Sequence, residues 1–288
     1  MEKAILKTLI YAGIFNYPLK INEIHKWLVG KRSTLRQIEK AIQSQESRIK
    51  SQGRYFFLKN QNGLVARRKR AEKQSEAYFQ KAKMLSYILK VVPWIKLVGV
   101  SGGLAMNNAG KSDDIDLFII TGKNRLWISR LLVIGLLSLV SQRRKRIDKG
   151  RGIAGKLCLN ILLEEDRLEQ KNKDIFVAHE VLQMRPLWQR DGVYSRYLAD
   201  NEWVFKYLPN WISCQSQKSK VKSQKYNSKF KSFDLIENLA KWFQLKIMRK
   251  PQGMERIEEG ALYFHPNDCR EKVLSEYRQR LKLATLDK

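Results

Sequence analysis

The stretch from Leu97 to Thr121, LVGVSGGLAMNNAGKSDDIDLFIIT, constrains this chain more than any other, because a glycine turn and paired acids lie between two strand-like runs. Leu97 to Val100 and Leu117 to Ile120 are aliphatic runs of strand length, and the glycine, asparagine and serine between them read as a loop with a helical turn. Asp114 and Asp116 are two apart in the second run. Alternation along a strand then sends both carboxylates to one face and turns Ile115 and Leu117 to the core. Carboxylates held that close repel unless a cation lies between them, and hard divalent ions prefer oxygen ligands. The pair implies a metal. At the end of the first run, Ser101-Gly102-Gly103 lacks two Cβ atoms, which lets a phosphate approach backbone N–H groups closely.

Gly102-Gly103, ten residues, then Asp114-Ile115-Asp116 resembles the signature of the DNA polymerase β-type nucleotidyltransferase superfamily. The likeness is greatest to its small stand-alone bacterial and archaeal nucleotidyltransferase-like domains. The resemblance implies an α+β fold in which Ser101, Gly102 and Gly103 contact the phosphates of a nucleoside triphosphate. It also implies that Asp114 and Asp116 ligate Mg²⁺ and carry catalysis, with a third carboxylate on a later strand. Asp113 would face away from the metals.

The next strand-like run is Lys156 to Leu163, KLCLNILL, whose central polar residue is Asn160; the nearest acids, Glu164 and Glu165, lie past its end. Asparagine can ligate a metal through its carbonyl oxygen but brings no charge and cannot act as a base. Three options follow: a one-metal or altered site that includes Asn160, an acid recruited from elsewhere, or a nucleotide-binding domain that no longer transfers.

The 56 Lys and Arg against 28 Asp and Glu give a formal charge of +28. Such an excess repels itself in a compact chain, so a polyanionic partner is expected, with nucleic acid (DNA or tRNA) ahead of an anionic membrane. Cys158, Cys214 and Cys269 are odd in number and far apart, and no Cys or His pair has zinc-ligand spacing; a cytoplasmic setting without a structural metal is the reading. The N-terminus is not followed by a signal-type apolar stretch.

Residues 1–65 read as a separate small domain. Helices over Ala4–Ala12 and Ile21–Val29, a third capped by Ser33 and running to about Gln45, and two strands around Gly53 resemble the order of a winged helix. In that fold the third helix enters a DNA groove and the hairpin touches phosphate. Arg32, Arg36, Lys40 and Arg54 are the candidate contacts, and a solvated face on a docking domain is the other reading. Residues 66–93 read as one connecting helix that opens on the basic run Arg67 to Arg70 and ends before Pro93.

Residues 94–168 form the nucleotidyltransferase domain in this reading. It includes an apolar helix from Arg125 to Val140, capped by Asn124 and buried against the sheet rather than spanning a bilayer. The densest basic stretch follows, from Gln142 to Arg151, and Arg143 and Arg144 are candidates for a nucleic-acid backbone or a polyphosphate. Residues 169–212 are expected to be a helical extension in which His179 is structural. Residues 213–232 hold six Lys, six Ser and no acid, the composition of a disordered linker. Residues 233–288 are expected to be helical, and the aromatic face of Phe233 to Arg249 is expected to dock back on the protein. The functional expectation is Mg²⁺-dependent nucleotidyl transfer from an NTP. The alternative is a nucleotide-binding, DNA-associated regulator.

Overall fold

The computed structural model describes residues 1–44, 48–58, 63–145, 148, 150–211, 232–248, 255–264 and 269–286. The sequence reading of 213–232 therefore falls, Ser232 apart, outside the described residues, as do Pro266 and Asp268.

The chain is α+β with a mixed sheet. It opens with helix α1 (Glu2–Ile14), strand β1 (Leu19–Lys20), helices α2 (Ile21–Lys26) and α3 (Leu35–Gln43), and the hairpin β2 (Ile49–Gln52) and β3 (Tyr55–Leu58). The expected third helix is present, but its cap is Thr34, whose hydroxyl accepts from Gln37 N while the Gln37 side chain accepts from Thr34 N, a reciprocal capping box. Gly53 holds φ +60° at the hairpin turn, and β1 adds a third strand to give the order β1-β3-β2. Helix α4 (Leu64–Ile88) follows.

The second sheet has the order β7-β4-β5-β6-β9-β8. Its centre is β4 (Ile95–Val100), β5 (Ile115–Thr121) and β6 (Leu157–Glu164), with the short helix α5 (Gly102–Ala105) after β4 and α6 (Leu126–Leu139) between β5 and β6. The β5–β6 pair is parallel, which needs a crossover, and α6 supplies it. Both faces are covered: Ile115, Leu117 and Ile119 bury on one side, Phe118 and Ile120 on the other. The strand starts at Ile115, so Asp114 sits at the loop's end rather than inside the strand.

The tail departs from its helical expectation. After α7 (Ile175–Gln183) the chain forms β7 (Arg185–Gln189), which pairs antiparallel with β4, and only then α8 (Val193–Asp200). After α9 (Ser232–Ile247), β8 (Arg256–Glu258) and β9 (Ala261–Tyr263) extend the sheet from β6, before α10 (Arg270–Leu286). The open edges of β4 and β6 carry unpaired backbone groups, so even short segments without clear alternation are drawn into strands there.

The expected segment boundaries do not separate cores. One cluster joins Tyr11 and Trp27 of the first segment to Phe118, Val181, Trp203 and Tyr277. Backbone bonds reinforce this: Gly30 N donates to Tyr207 O, and the Asn210 side chain bridges Ser33 N and His25 O. The basic run at 67–70 is not uniformly solvated either. Arg68 is 1% exposed, lies 3.6 Å from the Tyr17 ring centre, and pairs with Glu23 at 2.7 Å and Glu72 at 3.0 Å.

Helix α6 starts without its own cap. Asn124 adopts φ +53° and the cap position falls on Arg125, which makes no side-chain capping bond. The orphan donors are satisfied from afar, because the buried Glu237 of α9 accepts from Trp127 N at 2.7 Å and Ile128 N at 2.9 Å. A carboxylate there also opposes the helix dipole favourably. Glu237→Ala should cost about 1–3 kcal/mol in urea unfolding, since it strands two buried N–H groups; an unchanged midpoint would refute the capping role.

Candidate active site

Strand β4 ends at Val100, and Ser101 N donates to Asp116 O at 3.0 Å, which holds the turn against β5. Gly102 takes φ +60°, and a Cβ placed there would lie 2.6 Å from Asp116 Oδ2. Two independent constraints, a left-handed backbone and a side-chain oxygen where Cβ would stand, require glycine here. Gly103 differs: its nearest neighbour to a built Cβ is Asn108 O at 3.5 Å, an ordinary contact. The Ser101 hydroxyl is buried and has no hydrogen-bond partner among the described residues. Asp113 closes the turn by accepting from Gly110 N at 2.8 Å.

Asp114 and Asp116 converge with a residue that the sequence reading set aside. Cys158 is the parallel-strand register partner of Asp116, and one ligand atom each from Asp114, Asp116 and Cys158 lie within 4.8 Å of one another, so the three could hold a metal ion. The bulge between Leu117 and Phe118 shifts the register, so that Leu117 pairs with Leu159 and Phe118 with Ile161, leaving Asn160 unpaired between them. Asn160 is buried and lines the same cavity as Asp116, while its backbone oxygen accepts from Phe264 N.

Arg144 reaches in from the basic stretch. Its guanidinium donates to Asp114 Oδ2 at 2.5 Å and to Cys158 Sγ at 3.8 Å. It is therefore a counter-ion of the acidic pair, not a side chain directed outward to a nucleic-acid backbone. Arg143 instead bridges to Leu157 beside the start of β6, and Arg32, Arg36, Lys40 and Arg54 are all exposed on the first segment.

The electrostatics follow from burial and crowding. Burial, then Asp114 and Glu180, push the Asp116 carboxyl up to about 8, against the pull of Arg144. Burial and the same two aspartates raise the Cys158 thiol, so it remains protonated. The donor set thus fits a cation in part: two hard carboxylate oxygens suit Mg²⁺, whereas a soft sulfur suits zinc or another transition ion better.

Gly102, Gly103, Asp116 and Asn160 line a cavity of about 600 Å³. The first segment also lines it, through Tyr11, Phe15, Tyr17 and Trp27. Segment 1–65 is thus part of the site and not only a neighbour of it. Helix α7 contributes Glu180, whose carboxyl burial pushes up to about 7 despite a hydrogen bond from Gln183. Its neighbour His179 is buried, bonds Ile175 O through Nδ1 and stacks on Tyr11 at 3.9 Å, and burial lowers it to about 4. It is a neutral wedge in the core.

Glu180 and Cys158 were not singled out from the sequence. Only the polar residue amid apolar neighbours, in KLCLNILL and IFVAHEVL, could have marked them, and that signal does not say which cavity they face. Compared with known proteins, the chain matches no family model and no curated relative.

Proposed function

We propose that the protein transfers a nucleotidyl group from an NTP to an acceptor hydroxyl, whose oxygen bonds to the α-phosphorus as the bond to the β-phosphate breaks and pyrophosphate leaves. The observation that carries this reading is the meeting of Gly102, Gly103 and Asp116 in one cavity, with the adjacent Ser101 hydroxyl unpartnered among the described residues. In this reading the glycine turn receives the phosphates, and Asp114 and Asp116 hold Mg²⁺. The ion supplies charge neutralisation at the α-phosphate. The aromatic wall of Tyr11, Phe15, Tyr17 and Trp27 offers an apolar surface for the base or the acceptor. Glu180 takes the place of the missing third carboxylate and accepts the acceptor's proton, since its raised carboxyl titrates near neutral pH.

Incorporation of label from α-labelled NTPs into tRNA, protein or small hydroxyl acceptors tests this. Label should appear with Mg²⁺ and vanish in the Asp114→Ala, Asp116→Ala double variant. Glu180→Gln should lower kcat about 10²-fold with little change in KM, the size expected for a lost general base. Because an acid must be deprotonated to act as base, activity should rise with pH through about 7 in the native protein, and that rise should be absent in Glu180→Gln.

A second reading rests on Arg144. With its guanidinium on Asp114 Oδ2, and Asn160 and Cys158 where a carboxylate is expected, the domain would bind nucleotide without transfer. The winged-helix-like first segment would then bind DNA as part of a regulator. NTP binding by calorimetry, sequence-selective DNA binding and no transfer to any acceptor would favour it.

A further inference from the structure

Helix α9 is seated the wrong way round for a helix facing water. Its inward edge is Glu237, Ala240, Gln244 and Met248. Glu237 caps α6, and Gln244 donates to Trp127 O at 2.8 Å and accepts from Arg130. Its outward edge carries Leu235 at 78%, Leu239 at 63% and Trp242 at 58% exposure, with Ile247 beyond. The aromatic face expected to dock on the protein is the face left out. Helix α6 alongside follows suit: its first half is buried, but Leu131, Leu132 and Leu139 are exposed, the last at 82%. Amphipathic helices normally bury the apolar edge, and an apolar helix edge left exposed marks an interaction site.

Charge identifies the occupant. Exposed Lys241 and Lys246 lie on α9 itself. A second copy carries the same net charge of +28, which opposes its association with this chain. An anionic bilayer offers both an apolar interior and negative headgroups. Among the described residues no helix is long and apolar enough to cross a membrane, so the geometry is that of helices lying in the interface plane.

We propose that the outward faces of α6 and α9 dock the protein on an anionic lipid surface. Trp242 and the leucines enter the headgroup boundary, and Lys241 and Lys246 contact the negative headgroups. This inference owes nothing to the nucleotide reading and stands or falls separately.

Flotation of the full-length protein with vesicles tests it, using phosphatidylcholine alone and equal parts phosphatidylcholine and phosphatidylglycerol. The native chain should float with the anionic vesicles, at least about tenfold more tightly than with neutral ones, and less so as salt rises. Leu239→Ser with Trp242→Ser should weaken binding about tenfold or more, and Lys241→Glu with Lys246→Glu should weaken it to anionic vesicles only. All four positions are exposed, and unchanged thermal unfolding would verify that the variants fold. Absence of flotation by the native chain overturns the proposal. So does equal binding of native protein and the Leu239, Trp242 variant, which would reduce the contact to charge alone. Sedimentation as a dimer that the same variant disperses would assign the face to a second copy, and retention of a lone acidic protein partner in place of vesicles would assign it there.

Discussion

Gly102→Ala is expected to destabilise the protein by about 2–4 kcal/mol, the sum of an alanine forced to positive φ and a Cβ driven into a carboxylate. The backbone sits at φ +60°, and the new methyl would stand 2.6 Å from Asp116 Oδ2. Relief requires either the turn or Asp116 to move. The turn is tied to β5 through Ser101 N on Asp116 O, and Asp116 belongs to a strand buried on both faces, so neither yields cheaply. Urea unfolding and calorimetric titration with an NTP would read the two consequences, and loss of stability should come with loss of binding. Gly103→Ala is the informative contrast. Its Cβ meets nothing nearer than Asn108 O at 3.5 Å, inside a helical turn, so stability should change by less than about 1 kcal/mol, and alanine is the better helix former. If the glycine turn holds the phosphates as proposed, nucleotide affinity should nevertheless fall, because a methyl would stand where the phosphate would approach. If Gly103→Ala binds NTP like the native protein, the phosphate cradle is not at this turn.

Arg68→Leu is the second large effect. The guanidinium is buried under Tyr17 and between Glu23 and Glu72. Removing it leaves Glu23 and Glu72 with Lys20, which is bound to Glu72 at 2.6 Å, as the remaining cation of the group. Truncating one side of a buried ion network costs about 3–5 kcal/mol, and because both glutamates are about a quarter exposed a loss of about 2–4 kcal/mol is expected. The effect should reach the candidate site. Tyr17 lines the cavity and its hydroxyl donates to Met106 O at 2.5 Å, directly after α5.

The pH dependence has a definite sign. Burial raises the Glu72 carboxyl, but hydrogen bonds from Lys20 and Arg68 outweigh it and hold it below its ordinary value of 4.5. Its contribution is therefore present above that value and lost as pH falls through the depressed folded value. Glu23, which burial pushes up, works in the opposite sense. In Arg68→Leu the acid-side loss owed to Glu72 should shrink, which denaturation midpoints across the acid range would detect; a native-like acid limb would place the stabilisation elsewhere.

How much could be read from the residues differs from place to place for physical reasons. The strand, turn and strand of 97–121 were legible because aliphatic runs, paired glycines and an Asp-x-Asp spacing act within a few residues. The helices and hairpin of the first segment were legible for the same reason, since apolar spacing is local and Gly53 marks its own turn, although the cap of the third helix lies at Thr34 and not at Ser33. The strands β7, β8 and β9 were not. Their residues show no clear alternation, and the open edges of β4 and β6 recruit them across the chain.

The site divides along the same line. By itself the sequence determined that Gly102, Asp114 and Asp116 share one loop and its strand, since local spacing dictates it. Only the tertiary structure decided that Cys158 stands opposite Asp116, that Arg144 neutralises Asp114, and that Glu180 and the aromatic residues of the first segment close the cavity. Those contacts depend on a one-residue bulge in β5–β6 pairing, on where a crossover returns, and on helix packing over long sequence separations. The inverted seating of α9 belongs with them: Glu237 is drawn inward by the uncapped end of α6, more than a hundred residues earlier, and the helix's apolar face is turned outward as a result.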